Sequence, residues 1–98
     1  MNEQMGASHE TSLANGSFVA EAVAQQLEAM LSAGNYDGVK LLLSPVQPVD
    51  IAQAIGILPM ILQALAFRLL NKNEAIEVYE YLDPSVQQNL LDRLRSNE

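Results

Sequence analysis

The stretch from Gln47 to Leu70, QPVDIAQAIGILPMILQALAFRLL, holds the largest block of aliphatic side chains and decides how the rest of the chain must fold. Most of its last 20 residues are apolar, and about 20 apolar residues in a helix cross a bilayer core. A proline removes a backbone donor and clashes with the preceding turn, but it fits the first turn of a helix. Pro59 therefore divides the stretch into two short helices, 48–58 and 59–70, and each is too short to span a membrane.

Polar side chains interrupt the same stretch at Gln53, Gln63 and Arg68. Neither end carries the tryptophan or tyrosine that anchors helices at a membrane interface. We therefore predict two buried helices and no direct insertion of this segment into a membrane. A membrane span is the competing interpretation.

Composition excludes several classes of function. The 98 residues suffice for one domain, and the lack of cysteine excludes disulfides, thiolate metal sites and cysteine nucleophiles. Twelve acidic residues against 5 basic ones give a net charge of −7. Because this charge repels phosphate backbones, we expect no nucleic-acid partner.

The first 16 residues are mostly small and polar, so we predict a disordered tail over 1–16 and a domain over 17–98. His9 is the only histidine, and it has no cysteine, aspartate or second histidine at ligand spacing. The segment has acids in place of a basic region and no apolar core before Phe18, unlike a signal peptide. We therefore expect a cytoplasmic chain.

Caps and prolines predict short helices, and no alternating apolar and polar run with turn signals predicts a strand. Gly34 is expected to end the first helix in the left-handed conformation. The predicted caps are Ser17, Asn35, either Asn71 or Asn73, and Asp83. The fold class is all-α, with predicted helices at 18–32, 36–43, 48–58, 59–70, 74–82 and from Pro84 onward.

Apolar spacing predicts which helix faces are buried. The fourth helix is apolar nearly all round, including Met60 and Ile61, and such a helix is usually buried. The predicted inward positions of the last two helices are Ala75, Ile76, Tyr79 and Leu82, followed by Val86, Leu90, Leu91 and Leu94. A helix at the end of a stack needs a polar outer face, whereas the last helix offers Leu90, Leu91 and Leu94 and the fourth is unusually apolar, so we predict self-association, with a homodimer as the candidate form.

The sequence repeats with a shift of 24 residues, which places Ile51 on Ala75 and Leu62 on Val86. Self-similarity of this length is typical of an α-solenoid, in which helical hairpins stack to cover each other's apolar faces. Chance overlap between two amphipathic hairpins is the alternative.

Three phrases, PVDIAQAIGILP (48–59), LAFRLL (65–70) and NEAIEVYEYLDPSVQQNLLDRL (73–94), resemble the N-terminal cytosolic domain of MgtE-type magnesium transporters. The resemblance implies a right-handed superhelix of short helices, truncated here at its C-terminal end. It also implies a soluble, magnesium-sensing regulatory domain on the cytoplasmic side of the plasma membrane. Its partners would be the regulatory and transmembrane domains of the same polypeptide. A helical protein-interaction module of the FliG type, with no transport role, is the alternative.

No phosphate loop or activated nucleophile is recognisable, so we expect no enzyme. The acids Glu74, Glu77, Glu80 and Asp83 form the only charged constellation of note, and a solvated helix face is its simplest interpretation. The resemblance implies that Glu77 faces the regulatory partner across bound magnesium, with Glu80 and Asp83 as neighbours. The candidate metal ligands are therefore Glu77, Glu80 and Asp83, and the cofactor is magnesium, bound weakly or shared with a partner domain.

Overall fold

The computed structural model describes residues 15–96, in which no strand occurs. The predicted fold class, all-α, is confirmed. The predicted tail falls almost wholly on residues 1–14, outside the described part, and so does His9. Six helices follow one another: α1 Asn15–Ser32, α2 Tyr36–Leu43, α3 Pro48–Ile57, α4 Met60–Arg68, α5 Lys72–Tyr81 and α6 Pro84–Ser96.

Local capping explains where two of these helices begin. The backbone N–H of Gly38 donates to Asn35 Oδ1 at 3.0 Å, at the start of α2. The backbone N–H of Glu74 donates to Asn71 Oδ1 at 2.8 Å, so Asn71, and not Asn73, caps α5. Gly34 has φ of 75° after α1, in the left-handed region that glycine adopts without steric cost. The predicted caps at Asn35 and Asn71 and the glycine turn at Gly34 are therefore confirmed.

Some predicted boundaries are wrong. The first helix begins at Asn15, so Ser17 lies inside its first turn and is not the cap. Pro59 precedes α4 in an extended conformation, with ψ of 144°, and does not occupy the first helical position. The fifth helix begins at Lys72, two residues before the predicted Glu74, because its cap is Asn71.

The 24-residue repeat is present in the structure and has a third unit. Helices α2, α4 and α6 begin at Tyr36, Met60 and Pro84, so each starts 24 residues after the last. Helices α3 and α5 keep the same offset at both ends. The sequence indicates only the second and third hairpins, because the first pairs a longer helix, α1, with a shorter one, α2.

Stacking follows this repeat, because each odd-numbered helix packs against the next: α1 against α3, and α3 against α5. Helix α4 packs in the same way against α6. This pattern is consistent with the predicted α-solenoid, in which each unit covers the apolar face of its neighbour. The fully buried large side chains are Leu27, Val39, Ile51, Ile55, Val78 and Leu90.

Four predictions of burial are wrong. Met60 and Ile61 are 58% and 67% exposed, because no other described residues cover the outer side of the first turn of α4. Ile76 is 55% exposed while Val78 is fully buried, because α5 packs mainly on α3 and no helix among residues 15–96 covers Ile76. Leu91 is 44% exposed on the outer side of α6, whereas its neighbour Leu90 is buried.

The membrane-span interpretation of the apolar stretch finds no support. Among the helices described between residues 15 and 96, none has both the length and the apolar character that crossing a bilayer requires. Leu58 has an extended backbone, with ψ of 154°, directly before Pro59. The stretch is therefore two helices separated by an extended break at Leu58 and Pro59, as the proline predicts.

Candidate functional site

The acidic residues Glu74, Glu77, Glu80 and Asp83, here called the acidic strip, follow α5 from its first turn to the turn after it. Glu77, Glu80 and Asp83 are exposed, and Glu74 is half-buried beside the cap. Carboxylates three residues apart on a helix are neighbours and repel each other modestly. The strip is thus a solvated negative surface, as its simplest interpretation predicts.

Asp83 takes a different position from the two glutamates. It lies in the turn before α6, where its backbone oxygen accepts from the N–H groups of Val86 and Gln87 at 2.9 and 3.0 Å. It also lines an open groove of about 390 Å³ together with Glu21 of α1 and Tyr81. Asp83 therefore shares its groove with an acid from another helix, while Glu77 and Glu80 do not line it.

The described residues, 15–96, bring no complete metal centre together. Among the described residues, no group of three or more histidine, aspartate or glutamate side chains is arranged to hold a metal ion. Magnesium keeps several waters and takes few protein carboxylates, so a site shared with a second domain requires only one or two from this chain. The assignment of Glu77, Glu80 and Asp83 as metal ligands stays a prediction.

Helix α5, which carries Glu77, is held in place by the contacts of the two residues that follow Glu77. The adjacent Val78 is fully buried against the core. Tyr79 packs its ring edge-to-face on Phe67 of α4, with the ring centroids 6.1 Å apart. Gln87 Nε2 donates to the Tyr79 backbone oxygen at 2.8 Å and so satisfies a carbonyl near the end of α5. These contacts hold α5 in place, and Glu77 is exposed on it.

A buried polar network, not apparent from the sequence, joins α4 to α6. Asn89 Nδ2 donates to Gln63 Oε1 at 2.7 Å and to the Met60 backbone oxygen at 3.2 Å. Gln63 Nε2 donates in turn to the Leu58 backbone oxygen at 3.3 Å. Arg93 Nε donates to Asn89 Oδ1 at 3.1 Å. The network therefore satisfies a backbone carbonyl beside the break at Pro59 and fixes the stacking of α6 on α4.

These features place the chain in the class of small helical-repeat domains, and it presents an acidic helix face. Residues 46–98, more than half of the chain, match the family model of the MgtE intracellular N domain. The chain belongs to this family, a non-catalytic domain family of magnesium transporters. No curated protein and no solved structure matches the chain.

Proposed function

We propose that this chain is the magnesium-sensing regulatory domain of a magnesium transporter, located on the cytoplasmic side of the plasma membrane. In this proposal Glu77 meets a regulatory partner domain across bound magnesium. The observation that carries the proposal is the family membership. The residues that match the family model, 46–98, include the whole of α5. The outward position of Glu77 on a helix held by Val78 supports it.

The chemistry of the ion supports a shared site. Magnesium takes oxygen ligands, demands octahedral geometry and gives up its waters reluctantly, so one or two carboxylates from each surface suffice. Three of the four residues of the acidic strip are exposed. A second acidic surface would be repelled by this strip unless a cation lay between them. Magnesium would therefore stabilise the closed arrangement of the two domains.

This arrangement makes the domain a sensor. A ligand shifts a conformational equilibrium only if it binds one state more tightly than the other. Magnesium bound between two carboxylate surfaces has ligands from both domains in the closed state and from one in the open state. Low magnesium would thus release the domain, and its movement would pass to the transmembrane domain of the same polypeptide.

The experiment is a magnesium titration of the isotope-labelled chain followed by amide NMR, first alone and then with the regulatory domain added. We expect the chain alone to show weak binding, with shifts confined to the residues around Glu77. Addition of the regulatory domain should strengthen binding, since the missing ligands are then present. Glu77→Gln should abolish the strengthening, because it removes the negative charge and keeps the size of the side chain.

Glu28→Gln is the matched control, since Glu28 is an exposed glutamate on α1 and lies outside the acidic strip. Equal loss in both variants would mean that only net charge matters, and the residue assignment would be wrong. Association of the two domains that ignores magnesium would overturn the sensor proposal and favour a FliG-type interaction module.

A further inference from the structure

A cleft opens between the last turns of α2 and α4, at the point where α5 begins. It measures about 470 Å³. We call it the α2–α4 cleft, and the lining residues that define it are Lys40, Leu43, Arg68, Leu70, Asn71 and Glu74. It lies between the first and second hairpins of the repeat, so both of its walls belong to the described part of the chain.

The cleft lies where one stacking contact of the repeat is much reduced. Helix α4 packs against α6, and Asn89 donates to Gln63 across that junction. Helices α2 and α4 make far less contact. The residues 24 positions before Asn89 and Gln63 are Leu65 and Val39, which cannot form the same hydrogen bond. The opening between α2 and α4 is therefore a property of the first junction and does not depend on a further repeat unit.

The charges of the cleft have the opposite sign to the charge of the chain. Lys40 in the last turn of α2 and Arg68 in the last turn of α4 both line it, whereas the chain as a whole has 5 basic residues and a net charge of −7. The C-terminal end of a helix favours a cation, which explains the residue type at each position. Within residues 15–96, neither side chain forms an ion pair. Both cations are thus available to an anion that enters the cleft.

The remaining lining residues identify which anion fits. The carboxylate of Glu74 also lines the cleft, so two cations and one carboxylate leave a single positive charge. One further carboxylate balances that charge, whereas a phosphate group, with a charge of about −1.5 to −2 at pH 7, would exceed it and be repelled by Glu74. Leu43 and Leu70 are buried at 2% and 9% exposure and give the cleft an apolar wall. An acidic side chain with an apolar neighbour suits this lining.

We propose that the α2–α4 cleft binds an acidic segment of a partner protein. A carboxylate of the segment accepts hydrogen bonds from the Lys40 ammonium and the Arg68 guanidinium, which are donors only. An apolar neighbour in the segment packs on Leu43 and Leu70. The candidate magnesium ligands, Glu77, Glu80 and Asp83, do not line the cleft, so this contact does not require the ion.

The experiment is an amide NMR titration of the isotope-labelled 98-residue chain with the capped peptide Gly-Leu-Glu-Glu-Leu-Gly at low ionic strength. We expect shifts confined to residues 40–44 and 68–74. The matched peptide with glutamine in place of both glutamates should leave these amides unshifted, because it keeps the size and loses the charge. Added salt should weaken binding, since it screens exposed charges. A peptide that shifts no residue of the cleft would overturn the proposal.

Charge-neutralising variants test the two cations. Lys40→Gln and Arg68→Gln should each weaken binding of the peptide about threefold, as expected for an exposed ion pair. Lys72→Gln and Arg95→Gln are the matched controls, because each removes an exposed cation of the same type outside the cleft. All four positions are exposed, so the fold should not change. Equal weakening in the variants and their controls would mean that only net charge matters, and would overturn the site.

Glu74 and inorganic phosphate test the kind of anion. Glu74→Gln should strengthen binding of the peptide, because it removes a like charge from the cleft. A merely structural role of Glu74 predicts no gain, and unchanged or weaker binding would overturn the assignment of a single carboxylate. Inorganic phosphate is the competing probe. Phosphate that shifts the residues of the cleft while the peptide does not would identify a small-anion site and overturn the protein partner.

Discussion

Replacing Asn89 with leucine should destabilise the domain, because it leaves the buried side-chain oxygen of Gln63 without its hydrogen-bond donor. Asn89 is 9% exposed and its Nδ2 donates to Gln63 Oε1 at 2.7 Å. Leucine has the same number of side-chain heavy atoms but no donor, so Gln63 Oε1 would stay buried without a partner. An unsatisfied buried polar group costs about 1–3 kcal/mol. For a domain of this size, 2 kcal/mol lowers Tm by roughly 8–16 °C.

The assay is urea and thermal unfolding followed by circular dichroism at 222 nm. Gln88→Leu is the control, because Gln88 Nε2 donates to Asp92 Oδ1 at 3.1 Å on the exposed side of the same helix. Its effect should stay within about 0.5 kcal/mol. The comparison separates the loss of a buried hydrogen bond from the loss of an exposed one.

A double-mutant cycle tests the reasoning more strictly. Gln63→Met alone removes the acceptor and also the donor to the Leu58 backbone oxygen. With both Gln63→Met and Asn89→Leu, no side-chain oxygen is left without its donor, so the double variant should be more stable than the sum of the single effects predicts, by about 1 kcal/mol. Strict additivity, or an Asn89→Leu variant as stable as the unmodified chain, would refute the proposed role of the network.

Three further predictions concern the helix ends and the core. Asn71→Ala should cost about 1 kcal/mol in urea unfolding because it removes the cap of α5, whereas Asn73→Ala, inside that helix, should be neutral or stabilising. Gly38→Ala should give no stabilisation, since its Cβ would displace the capping side chain of Asn35; in an Asn35→Ala background the same change should stabilise by about 0.5–1 kcal/mol. Ile51→Ala should lower the free energy of unfolding by about 2–5 kcal/mol, because Ile51 is fully buried and the change leaves a cavity.

The helix order could be predicted because its signals are local. Asn35, Gly34 and Pro48 act on groups within a few residues, and each lies at the predicted helix end. The break at Pro59 is also a local signal, since a proline restricts its own φ and the backbone conformation of the residue before it. Helix α4 begins at Met60, one residue after the predicted start at Pro59. A proline fits both the cap position and the first helical position, so the sequence alone does not choose between them.

Burial could not be predicted as well, because it depends on what other helices cover. Periodicity places Ile76 on an apolar face, but α5 packs mainly on α3, and that side holds Val78. Met60 and Ile61 are apolar in an apolar helix and still face solvent. These positions are exposed because no helix among residues 15–96 covers them, and no single helix pattern encodes that.

The candidate site likewise contains features that the sequence predicts and features that depend on how the helices pack. The exposure of Glu77 and Glu80 follows from their helix face and was expected. The pair formed by Gln63 and Asn89 joins residues 26 positions apart, so it depends on the stacking of α6 on α4. A magnesium site shared with another domain likewise depends on groups outside this chain, and its ligands cannot be read from one surface.

The most direct test of the central claim is protease protection of a two-domain polypeptide that contains both this domain and the regulatory domain. Trypsin digestion should be slow at high magnesium and fast at low magnesium, because the ion stabilises the closed pair of domains. Glu77→Gln should remove this dependence while circular dichroism shows unchanged helix content. A Glu77→Gln variant with the same magnesium dependence as the unmodified protein would contradict the role of Glu77, and an unmodified protein whose digestion rate ignores magnesium would contradict the sensor itself.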